Sequence, residues 1–437
     1  SLGSLRVRQD YLIAEALLSP YGAGSQAPAE VQELALARLR QLSAHEIGHT
    51  LGLAHNYAAS SEELASVMDY PHPRVTVRNG QIDISQPYDD KIAAWDKVAI
   101  SWGYQDFPEG IDEKEALDGL ISQALGKGLY FLSDQDARPT GGAHPYAHLW
   151  DNSRDAADEL NRLMEVRKIA LQNLGQNTLR EGTPMAQLEE KLVPVYFFHR
   201  YQTEAAVKLI GGLNYRYALK GDGQPVTEKV PVAQQQKALE ALLATLRPEA
   251  LAFPKALLDQ IPPQPYGYAR SREVISIRTG LTFDALAAAE AAANQTVSLL
   301  LDPARMNRLL EYHAQDPAQP SLQAVLDRLI GQTLKAPAQA GYAGELQRTV
   351  NYVVLHHLIS QSRDKGASPQ TQALLKLKLS QLQPWLASAG KGKDESWQAH
   401  WAFAAELIKH LETEGKPMEM PGLLSPPPGA PIGSCAE

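Results

Sequence analysis

The sequence predicts a mainly α-helical protein with a small β-hairpin. Apolar residues recur every three to four positions through most of the chain, the period of a helix with one buried face. Pro248, Pro262-Pro263, Pro303, Pro317, Pro320 and Pro384 cut the second half into successive helices. Their spacing shows no fixed repeat, so a solenoid is not expected. Period-two alternation is confined to one hairpin and one short isolated segment.

Taken in order, Val7, Tyr11, Ala14 and Leu18 give a first helix one apolar face, and Ser19-Pro20-Tyr21-Gly22 ends it. A second helix starts near Pro28, a residue suited to a first helical turn. It carries Val31, Ala35, Leu42 and His49 on one face and stops at Gly52. Residues 56–90 lack helical period and are rich in Pro, Ser, Asn and Asp, which reads as a structured loop. Lys91 to Trp102 reads as a helix with Ile92, Trp95 and Val98 or Ala99 inward. Residues 107–150 read as irregular, with one strand at Leu129 to Leu132. Two long helices follow, at about 155–179 and 185–210. Tyr215 and Tyr217 alternate before the turn signal Gly221-Asp222-Gly223, and Val226 to Val230 returns, giving a hairpin at about 213–230. Val232 to about Leu411 is helix after helix, and Pro417 to Glu437 reads as an extended Pro/Gly-rich tail.

The chain has 437 residues, about two to four domains' worth. Its composition, 44% hydrophobic and 21% charged, supports a large buried core and excludes broad disorder. A net charge of −9 repels phosphate backbones, so nucleic acid is not an expected partner. No apolar run reaches the length of a membrane span. The single cysteine, Cys435, excludes an internal disulfide and a Cys-based zinc cluster. The chain opens Ser1-Leu2-Gly3-Ser4, which reads as a fragment of a longer protein with domains upstream.

The chemistry lies at the end of the second helix, in His45-Glu46-Ile47-Gly48-His49-Thr50-Leu51-Gly52-Leu53-Ala54-His55, an H-E-x-x-H-x-x-G-x-x-H pattern. His45 and His49 are four apart, so on a helix they stand one turn above each other and can hold one ion. Glu46 is rotated by about 100° from His45, close to a water in the open position without being a ligand. Gly52 ends the helix in a conformation other residues resist, and the chain turns back to bring in His55. Three imidazoles with one open position is the layout of a catalytic rather than a structural zinc site. Ser66-Val67-Met68-Asp69-Tyr70 follows 13 residues after His55.

Together these motifs resemble the metzincin metallopeptidases. The resemblance implies a Met-turn, with Met68 as a structural floor beneath the three histidines. It also implies that Tyr70, two residues after that methionine, binds zinc or stabilises the transition state. The likeness is closer to the large bacterial Met-zincin-domain proteins, and runs from residue 3 to about 415. It is carried by residues 3–11, the zinc helix, Ser-Val-Met-Asp-Tyr-Pro, and His-Pro-Tyr-Ala-His-Leu-Trp-Asp-Asn at 144–152. Such proteins are exported zinc-dependent proteases, so the implied cofactor is Zn²⁺ and the implied partner a peptide or protein substrate.

The expected architecture is therefore the C-terminal part of a metzincin-like core followed by a large helical region. Residues 1–106 hold the zinc helix and Met-turn, 107–154 a linker packing near the cleft, 155–416 a helical domain with the hairpin, and 417–437 the tail. Metzincins have a sheet before the zinc helix, whereas residues 1–27 here read as a helix. The upper half of the cleft is expected upstream of Ser1 or lost, with an apolar face left exposed and a fragment that cleaves poorly alone. The alternative function is a non-catalytic binding or scaffold module keeping zinc for stability.

Weaker candidates stand beside ordinary readings. Ser133-Asp134-Gln135-Asp136 is a calcium loop or a solvated turn. His144 and His148 hold a second metal or sit in a loop lining the cleft. His199-Arg200-Tyr201 with Glu204 faces substrate or forms a hydrogen-bonded core, and His356-His357 reads as core packing.

Overall fold

A computed structural model describes residues 4–22, 29–61, 66–89, 91–271 and 273–427. Residue 3, Pro28, Cys435 and the end of the tail lie outside the described residues, as does the side chain of Val7. The fold is mainly helical, with two small antiparallel two-stranded sheets among the described residues.

Helix α1 (Ser4–Leu18) packs against α2 (Ala29–Thr50), the zinc-motif helix. The face predicted for α2 is present: Val31, Ala35 and Leu42 are buried with Leu34 and His45. Each large apolar side chain so buried contributes about 1.5–3 kcal/mol. Leu36 and Ile47 are the exposed apolar residues of α2. No strand precedes His45 among the described residues. Helix α3 (Ala94–Tyr104) starts three residues later than expected, so Ile92 precedes it and is exposed rather than inward.

Four features depart from expectation. The loop at 56–90 contains a hairpin, β1 (Thr76–Arg78) with β2 (Gln81–Asp83). Its turn is Asn79-Gly80, both at positive φ, a pair suited to a two-residue hairpin. The region 107–150 is not wholly irregular: α4 (Glu113–Gly126) is capped by Asp112, which accepts from the Glu115 N–H. Most of α4 is exposed or half-buried, so its apolar period is weak. Leu129–Leu132 is extended but is no strand, because its partner is not another strand. The Asn56 side chain donates to the Tyr130 carbonyl at 3.0 Å and accepts from the Leu132 N–H at 3.1 Å. This amide, together with the Tyr57 N–H that donates to the Leu132 carbonyl at 2.7 Å, takes the place of a neighbouring strand.

A four-residue helix α5 (Asp134–Ala137) follows, then α6 (Ala156–Asn173). The expected helix at 185–210 is two, α7 (Leu188–Tyr196) and α8 (Arg200–Val207). Pro194 lies in the last turn of α7 and withholds an N–H from it. The later hairpin is present as expected, β3 (Leu213–Tyr215) pairing with β4 (Thr227–Lys229), and further helices follow over Val232–Leu258 and Ala285–Glu414, with irregular chain rather than helix in the described residues between. A continuous apolar core runs from Ile13 to Ile408. A second, smaller cluster gathers Tyr57, Tyr70, Tyr130, Leu132, Leu149 and Trp150. Among the described residues no helix is long and apolar enough to cross a membrane.

Several histidines are buried as neutral rings. Desolvation pulls His72 down to about 3 and His144, His357 and His400 to about 4. Below about pH 6.5 each is protonated in the unfolded chain but not in the fold. The stability they contribute is complete above that pH and is lost as pH falls. Asp69 and Asp151 act oppositely, since burial raises both, Asp151 to about 7. They are outnumbered. Denaturant titrations of the metal-free chain should show stability falling steadily from about pH 6.5 to 4.5. A midpoint constant over that range would mean that these rings are solvated.

Candidate metal centre

The last turns of α2 set the site. His45 and His49 lie one turn apart, and Gly48 between them faces the Met68 side chain. A Cβ at Gly48 would overlap the Met68 sulfur, so only glycine lets the Met-turn approach the helix this closely. Met68 is 1% exposed and packs against the helix at Gly48, between the first two histidines in the chain. At Gly52 φ is +82°, the left-handed region that favours glycine. The Leu53 N–H then returns to the Gly48 carbonyl at 3.0 Å, and the chain doubles back toward His55.

Each of the three imidazoles is held through Nδ1. His45 Nδ1 lies 2.8 Å from the Val67 carbonyl, His49 Nδ1 2.9 Å from the Leu53 carbonyl, and His55 Nδ1 2.9 Å from Asp134 Oδ2. Carbonyl oxygens only accept, so the proton of each ring belongs on Nδ1 and the lone pair on Nε2. The carboxylate at His55 favours the same tautomer. The ligand atoms of the three rings all lie within 4.8 Å of one another. His45 Nε2 and His49 Nε2 are 3.0 Å apart. His55 Nε2 is buried with no hydrogen-bond partner.

Two lone pairs that close repel unless a cation draws both, and a buried nitrogen without a partner is costly. Desolvation also favours, at two of the rings, the neutral form a metal requires: it pulls His45 down to about 3 and lowers His55 despite the nearby Asp134. The donor set, three neutral nitrogens oriented by oxygen acceptors behind them, therefore fits Zn²⁺. Among the described residues this is the one group of three such side chains that could hold a metal ion.

The Met-turn is fixed by Asp96 in the first turn of α3. Its carboxylate accepts from Ser66 Oγ at 2.6 Å, from the Val67 N–H at 2.9 Å and from the Ala93 N–H at 2.7 Å. The Val67 carbonyl, so positioned, accepts from Gln41 Nε2 at 3.2 Å as well as from His45. The Tyr70 ring lies against the ligands, its centroid 5.1 Å from that of His45 and 4.8 Å from that of His55. It stacks on Trp150 at 5.2 Å. Glu46 is exposed, beside two ligands that are not.

Sequence reasoning missed Asp96 and Asp134. Asp134 is 79 residues from His55 and reads in the sequence as part of a solvated turn or a calcium loop. Its oxygens are instead taken by His55, Arg138 and the Tyr57 hydroxyl, and Asp136 caps the Ser133 N–H and accepts from Tyr215 and Tyr217. The legible signal was the Ser133…Asp136 capping pair, which marks a short helix. Asp134→Ala should weaken zinc binding about 10- to 100-fold, the usual cost of losing an outer-shell partner. Competition against a chelating dye measures this, and an affinity within about twofold of wild type would show that Asp134 does not orient the ligand.

The remaining candidates are not brought together as a second metal site. His144 Nε2 lies 3.0 Å from the Tyr215 carbonyl, and His148 Nε2 lies 3.1 Å from Glu204 Oε2. His199 is buried, Arg200 donates to the Pro427 carbonyl, and Glu204 also accepts from Gln295, so this set forms a hydrogen-bonded core. His357 meets Asn294 Oδ1 at 2.7 Å, in keeping with packing.

A family model described as Met-zincin matches residues 27–341. No curated protein and no solved structure matches the chain.

Proposed function

Because the chain belongs to the Met-zincin family of metzincin-type zinc metalloproteases, we propose that it hydrolyses internal peptide bonds of protein substrates. The observation that carries this reading is the locking of all three Nδ1 atoms, which leaves three Nε2 atoms facing one point. His45, His49 and His55 would hold Zn²⁺, which supplies Lewis acidity toward the scissile carbonyl and a water that ionises near neutral pH. Glu46 acts as the general base: it takes the proton of the attacking water and passes it to the leaving amine. Its exposure, one residue after the first ligand, supports this role, because a purely structural site needs no carboxylate there. Tyr70 donates a hydrogen bond to the developing oxyanion, a role supported by its ring resting on two of the ligands. The family resemblance further supports an exported protein.

Metal analysis paired with a peptide-library cleavage assay tests the reading. The purified chain should hold close to one zinc, with ligand distances of about 2.0–2.1 Å. Binding should persist below the ordinary imidazole range, because burial holds His45 down to about 3 and also lowers His55, and an imidazole fails to ligate only once protonated. Zinc retained in the His45→Ala/His49→Ala/His55→Ala chain would sink the assignment of the site.

A further inference from the structure

Beside the metal centre lies a cleft that the hydrolytic reading does not use. Its volume is about 1010 Å³, and it is lined by Arg74, Lys127, Arg154, Arg162 and Arg216 together with Tyr130. Among the described residues, the carboxylates lining the cleft with these five cations are Asp89, bonded to Arg74, and Glu159, bonded to Arg162. Lys127, Arg154 and Arg216 have no carboxylate partner among the described residues. This concentration of positive charge sits in a chain whose net charge is −9.

The donors are also unfinished. Arg74 Nε and Arg216 Nη1 are buried with no hydrogen-bond partner. Buried guanidinium nitrogens left open cost stability, and a native fold tolerates them where something else supplies the acceptor. The Arg216 guanidinium carbon lies 3.2 Å from the centre of the Tyr130 ring. Stacking on the ring fixes its plane and leaves the edge donors to face an oxyanion. Asn152, 5% exposed, lines the same cleft with a buried Oδ1 that has no partner, an acceptor that suits a backbone N–H of a polypeptide rather than its carboxylates.

We propose that this cleft is a second binding site that takes an acidic stretch of polypeptide. Carboxylates are the acceptors that a set of guanidinium forks matches. The volume is that of an extended ligand rather than one small ion. An acidic segment is repelled by the rest of the surface and drawn to this basin. The cleft abuts the chain that follows the third ligand: Ser61 Oγ meets the Tyr130 hydroxyl at 3.4 Å, and Asn56 holds the Tyr130 carbonyl. A protein substrate can thus be retained by an acidic stretch beside the site of cleavage. The choice of polypeptide rests on the peptidase reading; the anion site does not.

The test is fluorescence anisotropy with a labelled hexaglutamate peptide on the full chain carrying Glu46→Gln, so that binding is read without cleavage. Lys127→Glu/Arg154→Glu alters two exposed residues and should leave the fold intact, which circular dichroism checks. Binding of hexaglutamate should weaken at least tenfold in that double variant, and also when salt rises from about 50 to 300 mM. Hexalysine should not bind. No binding to the parent chain, or equal binding by the double variant, would overturn the proposal. Displacement of the peptide by inorganic phosphate at about 1 mM would reassign the cleft to a free oxyanion and overturn it as well.

Discussion

Glu46→Gln is expected to leave zinc binding within about twofold of wild type and to lower kcat/KM by at least about 10², the usual cost of removing a general base. The two side chains have the same size, and Glu46 is exposed, so neither packing nor the buried ligand shell is disturbed. None of the three Nδ1 contacts involves residue 46. What changes is the ability to accept a proton: an amide cannot take one from the attacking water near neutral pH. The loss should fall on the chemical step, with kcat reduced and KM little altered. Equal activity in the two forms, at matched zinc content, would remove Glu46 from the mechanism.

Asp96→Ala is expected to cost about 3–5 kcal/mol of stability, although Asp96 touches no ligand, because each buried donor left unsatisfied costs about 1–3 kcal/mol. Asp96 is 1% exposed. It satisfies the Val67 and Ala93 N–H groups and the Ser66 hydroxyl together. Removing it frees the Met-turn from α3 and releases the Val67 carbonyl, the atom that sets the tautomer of His45. The variant should therefore lose zinc affinity in addition to stability. Denaturant titration and dye competition on the same preparation separate the two effects. A stability loss under about 1 kcal/mol would show that the turn holds its shape without this carboxylate.

The elements most legible in the sequence were those with an unbroken apolar face or a local chemical signature. The α2 face was visible from Val31 to His49, and the three ligands from their spacing. Gly52 was readable for the same reason, since its partners are close in the chain, whereas Met68 was read from the resemblance to the metzincins. Asp134 was not, because nothing at residues 133–136 records that His55 lies against it. Helix α4 was missed because its faces are mostly wet, so burial leaves little period to read. Residues 129–132 were taken for a strand because extended backbone and apolar alternation are shared by strands and by segments paired through a side chain such as Asn56. The hairpin at 76–83 was readable from Asn79-Gly80, a local signal that the Pro-rich surroundings outweighed.

The carboxylate behind His55 also orders events in time. His45 and His49 are brought one above the other as soon as α2 winds, and the carbonyls that orient them, those of Val67 and Leu53, follow within 22 residues of His45. The residue that orients the third ligand is made 79 residues after it. At synthesis rates of about 5–20 residues per second, that is a delay of roughly 4 to 16 s on the ribosome. During that interval a nascent chain presents two prepared nitrogens and a third free to turn. The three ligands are fully oriented only once α5 has emerged and docked, so the proposed hydrolytic centre is completed well after the helix that carries its first two ligands.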